Sequence, residues 1–296
     1  MQAVQTGTRW ITYPAIMGSA LAATYLLFDA GVSYGLTLGS VIGVSAIVVA
    51  SLERVIPRAE AWQLEKRGAL ADLLHAGMSA GVVAPTLKVT LLALVTVAGI
   101  EASARLGFGL WPGSWPLAAQ VALAIVVADL GAYTAHRLMH VTRTGWRIHV
   151  VHHSATRLNF LASARAHPFN AAFTLTMENV PLVFAGISPE ALALVGVFKA
   201  VNGLVQHSNV DVRCGWLDYV LATAAVHRWH HSRVMEESNT NFGNTTMIWD
   251  HVFRTFRLPR DREPPVDVGL DGTNVPEQYL AHLGAPFVLS RYEDDE

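Results

Sequence analysis

Apolar residues run through this chain in blocks far longer than a β-strand uses. Residues 11–27 and 36–52 are free of charge, and 77–100 is interrupted only by Lys88. Residues 115–135 hold a single charged side chain, Asp129. A buried strand is an apolar run of about 4–8 residues, whereas a helix needs about 20 to cross the hydrocarbon of a bilayer. The four blocks therefore predict four membrane-spanning helices, the first being the shortest. From residue 136 to 166 the pattern turns polar and rich in His and Arg, which predicts a helix and then a loop outside the spans. Residues 168–206 are apolar again, punctuated by Pro181 and by Ser188-Pro189. Ser188 suits the cap of a helix running through Glu190 to about Gln206. The stretch is either a hairpin dipping into the membrane or two further spans, and the hairpin is favoured because both of its ends return to histidine-bearing segments. Beyond Arg257 the chain is rich in Pro, Asp and Glu, which predicts a solvated surface layer with a frayed end.

Composition supports the membrane reading. Charged residues make up 15% and hydrophobic ones 52% of the 296 residues, against about 25% charged in an ordinary soluble domain. Mean hydropathy is +0.33. A net charge of −2 gives no basis for nucleic-acid binding, and a single cysteine, Cys214, excludes an internal disulfide and argues against thiolate metal sites. No repeat or linker divides the chain. One membrane-embedded domain is expected over 1–296, with a transmembrane stem (1–135), a histidine-rich cap (136–257) and a polar tail (258–296). Arg9 precedes the first span, and Arg54, Arg58, Lys66 and Arg67 follow the second. The loop after the third span offers only Arg105. By the positive-inside rule, the N-terminus and the histidine region face the cytoplasm. No signal-peptide cleavage pattern is visible, so the first apolar run is expected to stay as an anchor.

The chemistry lies in the histidines. His-x-x-His-His occurs twice, at His149/His152/His153 and at His227/His230/His231, and His136-x-x-x-His140 ends the fourth span. A spacing of three or four places side chains on one helix face. Neutral imidazoles suit Fe, Zn, Cu and Ni and bind them without compensating anions. Eight such residues in three short segments point to a centre with several metal ions. An isolated surface histidine is more often a solvated side chain, but this grouping is not isolated.

The motifs resemble those of the fatty acid hydroxylase superfamily, the sterol desaturase-like membrane oxygenases. The resemblance rests on Asp129-Leu-Gly-Ala-Tyr133-Thr-Ala-His136-Arg-Leu-Met-His140, on the two His-x-x-His-His boxes, on Asn241-Phe-Gly243 and on Trp249-Asp-His-Val-Phe253. It extends over roughly residues 50–257. It implies an all-α integral membrane bundle of about four transmembrane helices under a cytoplasmic helical cap that holds a dinuclear iron centre. The metal ligands it implies are His136, His140, His149, His152, His153, His227, His230 and His231, with His207 as a ninth. His207 falls in a window, Gly203-Leu-Val-Gln-His207, where some members carry His-x-x-x-His. Gly203 stands where a tenth imidazole would be, leaving water or Asn202 to take its place.

Other residues are candidates for supporting roles. Asp129 lies two turns before His136 on the same face, where an ionisable group is costly and marks function. It would fix a ligand imidazole, the alternative being a contact with Arg137. His167 is either a support to a ligand or a residue of the loop leading into the next helix. Asn241 and Asp250 join the supporting set, while His251 reads as structural. His75 suits a helix-terminal role, and His282, in the tail, is given none.

Redox iron in such a site would use O2 and two external electrons to hydroxylate an unactivated C–H bond of an acyl chain, sterol or terpenoid. Zinc could replace it in purified protein. The glycine cluster Gly107-Phe-Gly-Leu-Trp-Pro-Gly113 lacks the spacing of a dinucleotide fingerprint. Electrons are therefore expected from a ferredoxin or a b-type cytochrome with its reductase, docking near Arg137, Arg143, Arg147, Arg165 and Arg228, with contact to lipid phosphate the equal alternative for each arginine. Lipid desaturation at the same site is the near alternative. A membrane metal-binding or transport protein is the distant one, because transporters place ionisable ligands near the bilayer midplane.

Overall fold

The structure is a computed structural model that describes residues 2–64 and 68–293, so Lys66, Arg67 and the acidic end at 294–296 lie outside the described residues, as does the side chain of Lys88. The described residues form helices joined by turns and isolated bridges, with no strand among them. Four helices are long and apolar enough to cross a membrane: Gly7–Asp29, Tyr34–Val55, Ala69–Leu106 and Leu117–Val141. The expectation of an all-α protein with four spans therefore holds. The first span is longer than its charge-free block, and the third is a continuous helical run of 38 residues. In that run, Ala76–Val83 widens into a π-helix before Pro85. Proline cannot give the amide hydrogen an α-helix needs and its ring crowds the preceding turn. A wide turn absorbs the conflict without breaking the helix.

The chain divides into two compact units. The first comprises Met1–Lys66, Thr156–Ser163 and Ala193–Gly269. It holds α1 (Gln2–Asp29), α2 (Tyr34–Val55), most of α7 (Pro189–His207) and the short α8 (Ala224–His230). Its core joins Tyr13, Met17 and Ala20 of α1 to Val41 and Val49 of α2 and to Val197, Val201 and Val205 of α7. The three α7 valines are four apart, one stripe of a helix. Ile11, Leu26, Val44 and Ile47 of the two spans are exposed, as lipid-facing residues of a span must be.

The second unit comprises Arg67–Ala155, Ala164–Leu192 and Leu270–Glu296. It holds α3 (Ala69–Leu106), α4 (Leu117–Val141), α5 (Arg143–His153), α6 (Pro168–Ala185) and α9 (Tyr279–Val288). Two glycines let α6 approach its neighbours: a Cβ on Gly99 of α3 would stand 2.3 Å from the Phe184 carbonyl oxygen, and one on Gly131 of α4 would stand 2.0 Å from that of Met177. Small residues at such crossings are the usual device of membrane helices.

The 168–206 stretch forms two helices, α6 and α7, parted at Gly186 in the left-handed region (φ +88°). The amide of Ala191 donates to Ser188 Oγ at 3.2 Å, the expected cap. The tail departs from expectation. Its apolar core, Tyr-Leu-Ala-His-Leu-Gly-Ala-Pro-Phe-Val, forms α9, and Ala285 and Leu289 pack with Val150 and Val151 of α5. Acidic and Pro-rich flanks concealed this apolar run in the composition of the tail.

Candidate metal centre

Thr142 makes the corner that brings the first histidines together. It ends α4 in an extended conformation and caps α5, accepting the Gly145 amide on its Oγ1 at 3.1 Å. Gly145 must lack a side chain, because a Cβ there would lie 2.6 Å from the Leu138 carbonyl oxygen. The result folds α5 against the end of α4. His136 and His140 come from α4, and His149 and His153 from α5. Ring centroids are 4.7 Å apart for His136/His149 and for His140/His153, and 4.9 Å for His140/His149. His140 and His153 face each other through their Nε2 atoms at 3.1 Å. The ligand nitrogens of the four residues all lie within 4.8 Å of one another.

The other unit gathers a second group. His207 ends α7, and His227, His230 and His231 lie on and just beyond α8. His227 Nε2 stands 2.9 Å from His207 Nε2 and 3.0 Å from His231 Nε2. A metal–nitrogen bond of about 2.0–2.1 Å at right angles places neighbouring nitrogens about 2.9 Å apart, which is the spacing seen.

Carbonyl oxygens decide which nitrogen faces inward. They can only accept, so an imidazole bonded to one must carry its proton on that side. The Nδ1–H of His149 donates to Asn170 Oδ1 at 2.7 Å, and that of His152 to the Arg165 carbonyl at 3.0 Å. In the other unit the Nδ1–H of His230 donates to the Thr240 carbonyl at 2.7 Å, and that of His207 to the Gly203 carbonyl at 3.0 Å. In the neutral ring each therefore keeps a lone pair on Nε2, the form that binds a cation. Burial first, and then the Arg165 charge, pushes His152 down to about 4, so its ring is neutral near pH 7. The donor set, imidazoles of which all but the half-buried His140 are buried, fits one or more transition-metal ions and would not suit an oxygen-loving cation.

The supporting residues have distinct places. Asn241, in the left-handed region (φ +56°), spends its amide on the Val226 and Arg257 carbonyls and accepts the Arg257 amide. Asp250 accepts the Phe242 and Gly243 amides and the Thr255 hydroxyl at 2.9, 2.7 and 2.6 Å. Together they hold the loop whose Thr240 carbonyl orients His230. Asn202 is engaged at both ends, accepting Tyr13 Oη–H at 2.7 Å and donating to the Ala222 and Asn244 carbonyls. The Gly203 position contributes its backbone, through His207. His167 caps α6, accepting the Phe169 amide on Nδ1 and donating from Nε2 to the Leu283 carbonyl. Asp129 is fully buried on α4, and Glu178, not singled out by the sequence, is buried on α6.

Among the remaining histidines, His251 donates to the Tyr219 carbonyl. His75 and His282 form a buried pair, Nε2 to Nδ1 at 3.1 Å. Two of the arginines expected at a docking surface are interior. Arg165 is bound by Asp72 and Glu277, each at 2.6 Å, and Arg228 is equally buried. Asn170 and the Arg165 and Thr240 carbonyls escaped sequence reasoning, since nothing in their spacing marks them.

Apolar spans and paired histidine clusters define a multi-pass membrane protein of the histidine-box class. A family model described as fatty acid hydroxylase matches residues 121–255. The chain is 34% identical to ornithine lipid hydroxylase OlsE of Rhizobium tropici, over 94% of this chain and 83% of that protein. It is 28% identical to an alkylglycerol monooxygenase of Caenorhabditis elegans over 47% of this chain and 27% of that one. It is 31% identical to a fatty acid hydroxylase of Mycosarcoma maydis over 49% of this chain and 35% of that one. No solved structure matches. The chain belongs to the fatty acid hydroxylase family.

Proposed function

We propose that this protein is a membrane non-haem di-iron oxygenase that hydroxylates an unactivated C–H bond of a lipid. His136, His140, His149, His152, His153, His207, His227, His230 and His231 are its metal ligands. The observation that carries this reading is the set of Nδ1–H bonds to carbonyl oxygens, which turns the Nε2 lone pairs of His149, His152, His207 and His230 away from the backbone. Histidine-bound iron supplies the redox chemistry that activates O2 toward a C–H bond. The balance is R–H + O2 + 2 e⁻ + 2 H⁺ → R–OH + H2O, with electrons from a separate ferredoxin or b-type cytochrome system on the cytoplasmic side.

The chain's own residues orient the ligands and exclude water by burial, and burial keeps His152 neutral. Asn170, Asn241 and Asp250 position ligands without touching substrate. The relative aligned over nearly the whole chain is named an ornithine lipid hydroxylase, which makes an acyl lipid with an amino-acid headgroup the first substrate class to supply. Membranes containing the protein, given ornithine lipid, O2 and a reducing system, should yield a product 16 mass units heavier, with the added oxygen labelled from ¹⁸O2. A product 2 mass units lighter would instead establish desaturation. His152→Ala and His230→Ala should each abolish turnover while the protein stays in the membrane. Retained turnover in both would overturn the reading.

A further inference from the structure

A second cluster of polar side chains lies in the first unit, sharing the short helix α8 with His227 and His230 through Arg228. A cleft of about 230 Å³ is lined by Trp10, Arg58, Arg213, Arg228 and Arg262 and by the carboxylates of Asp211, Asp218 and Glu263, among others. Some of its charges are already matched: Arg58 pairs with Glu263 at 3.2 Å, Asp211 with Arg9 at 3.0 Å, and Arg262 with Glu237. Arg213 and Arg228 are not. Among the described residues, neither has a carboxylate within ion-pair distance. The Arg228 guanidinium is only 2% exposed. Its Nη2 donates to the Ser208 and Val210 carbonyls, each at 2.9 Å, while its buried Nε–H has no partner. A buried Nε–H without an acceptor is costly, and a guanidinium fork matches an oxyanion.

The cleft sits at headgroup depth. Trp10 is in the first turn of the Gly7–Asp29 span and Arg58 follows the end of the second at Val55, where aromatic and basic side chains meet lipid headgroups. From the same end, an apolar groove of about 650 Å³ runs between α1 and α2, from Thr8 and Leu52 past Ala20 and Val41 to Leu27. That volume is within the range of lipid-sized ligand pockets.

We infer that this arginine cleft and the adjoining groove bind one anionic phospholipid, its phosphate on Arg228 and Arg213 and an acyl chain along α1 and α2. The full chain, delipidated in detergent, can be titrated with short-chain phosphatidylglycerol, short-chain phosphatidylcholine or inorganic phosphate, with adducts counted by native mass spectrometry. Phosphatidylglycerol should bind saturably at one per chain, about tenfold or more tighter than phosphatidylcholine, and inorganic phosphate should compete weakly. Arg213→Glu changes an exposed cleft residue and should weaken phosphatidylglycerol by about tenfold or more. Arg228→Gln should do the same, with its helical signal checked because the position is buried. Equal binding of the two lipids, or wild-type binding by Arg213→Glu, would overturn the inference. So would inorganic phosphate binding as tightly as the lipid, which makes the cleft a free-phosphate site. Saturable binding of an acidic electron-donor protein that Arg213→Glu abolishes, with no lipid preference, would make it a protein-docking site and also overturn it.

Discussion

At the scale of single residues, the proposed metal centre depends on groups that never touch metal. His149 can present Nε2 only while Asn170 Oδ1 holds its Nδ1–H at 2.7 Å. Removing an acceptor of this kind typically costs about 10–100-fold in metal affinity. Asn170→Ala should therefore lower iron affinity by that order, read by titration against a competing chelator, with helical content unchanged. Asn170→Asp keeps the acceptor and should restore most of the affinity. Unaltered affinity in Asn170→Ala would show that the bond does not orient the ring. Eight of the histidines stand out in the sequence because their type is rare and their spacing is helical, while His207 is indicated only by the family resemblance. Asn170 was not legible, because it lies 21 residues from its partner and an asparagine near a helix start reads as a turn. The Arg165, Gly203 and Thr240 carbonyls leave no trace in a sequence, since every residue has one. Gly203 illustrates the limit best: as a side chain it looked like a gap, and as a backbone it holds His207.

Among the elements, the spans and the Ser188 cap followed from hydrophobic blocks and capping chemistry, both local signals. The π-turn before Pro85, the glycine crossings on α6 and the docking of α9 depend on what lies opposite, which local pattern does not encode. The α9 helix carries a pH consequence. His282 is fully buried against His75, with Tyr279 also packed on His75, and the charge of Arg165 is close enough to disfavour protonation. Burial first, then Arg165 and His75, push His282 down to about 3 from an ordinary 6.5. The folded state thus holds it neutral, while the unfolded chain binds a proton below about 6.5. Its stability contribution is whole above that pH and is lost as pH falls toward about 3, at up to about 1.4 kcal/mol per pH unit. Thermal unfolding followed between pH 7 and 5 should show a falling midpoint, shallower in His282→Gln. A variant with the wild-type slope would place the acid sensitivity elsewhere.

Over the whole molecule, both units contribute converging imidazoles, so the metal load and the stability of the fold should be linked. The orienting bonds of His149, His152, His207 and His230 go to groups of the fold itself. The helices should therefore survive chelation, and the apo protein should be a folded but less stable form. A ligand that binds only the folded state adds about 2.7 kcal/mol at a hundredfold excess over its dissociation constant. Returning Fe(II) to the chelated protein should raise its unfolding midpoint, and Zn(II) should do so too, because imidazole accepts both ions. The two ions should part company in chemistry. Zinc has no redox states to offer, so the zinc form should be stable, saturated at the histidines and inert toward lipid under O2 and reductant, while the iron form turns over. Equal turnover with zinc would exclude an oxygenase and leave a hydrolytic or transport role. Stabilisation by neither metal would mean that the inward nitrogens are satisfied by one another, and the metal assignment would fall with it.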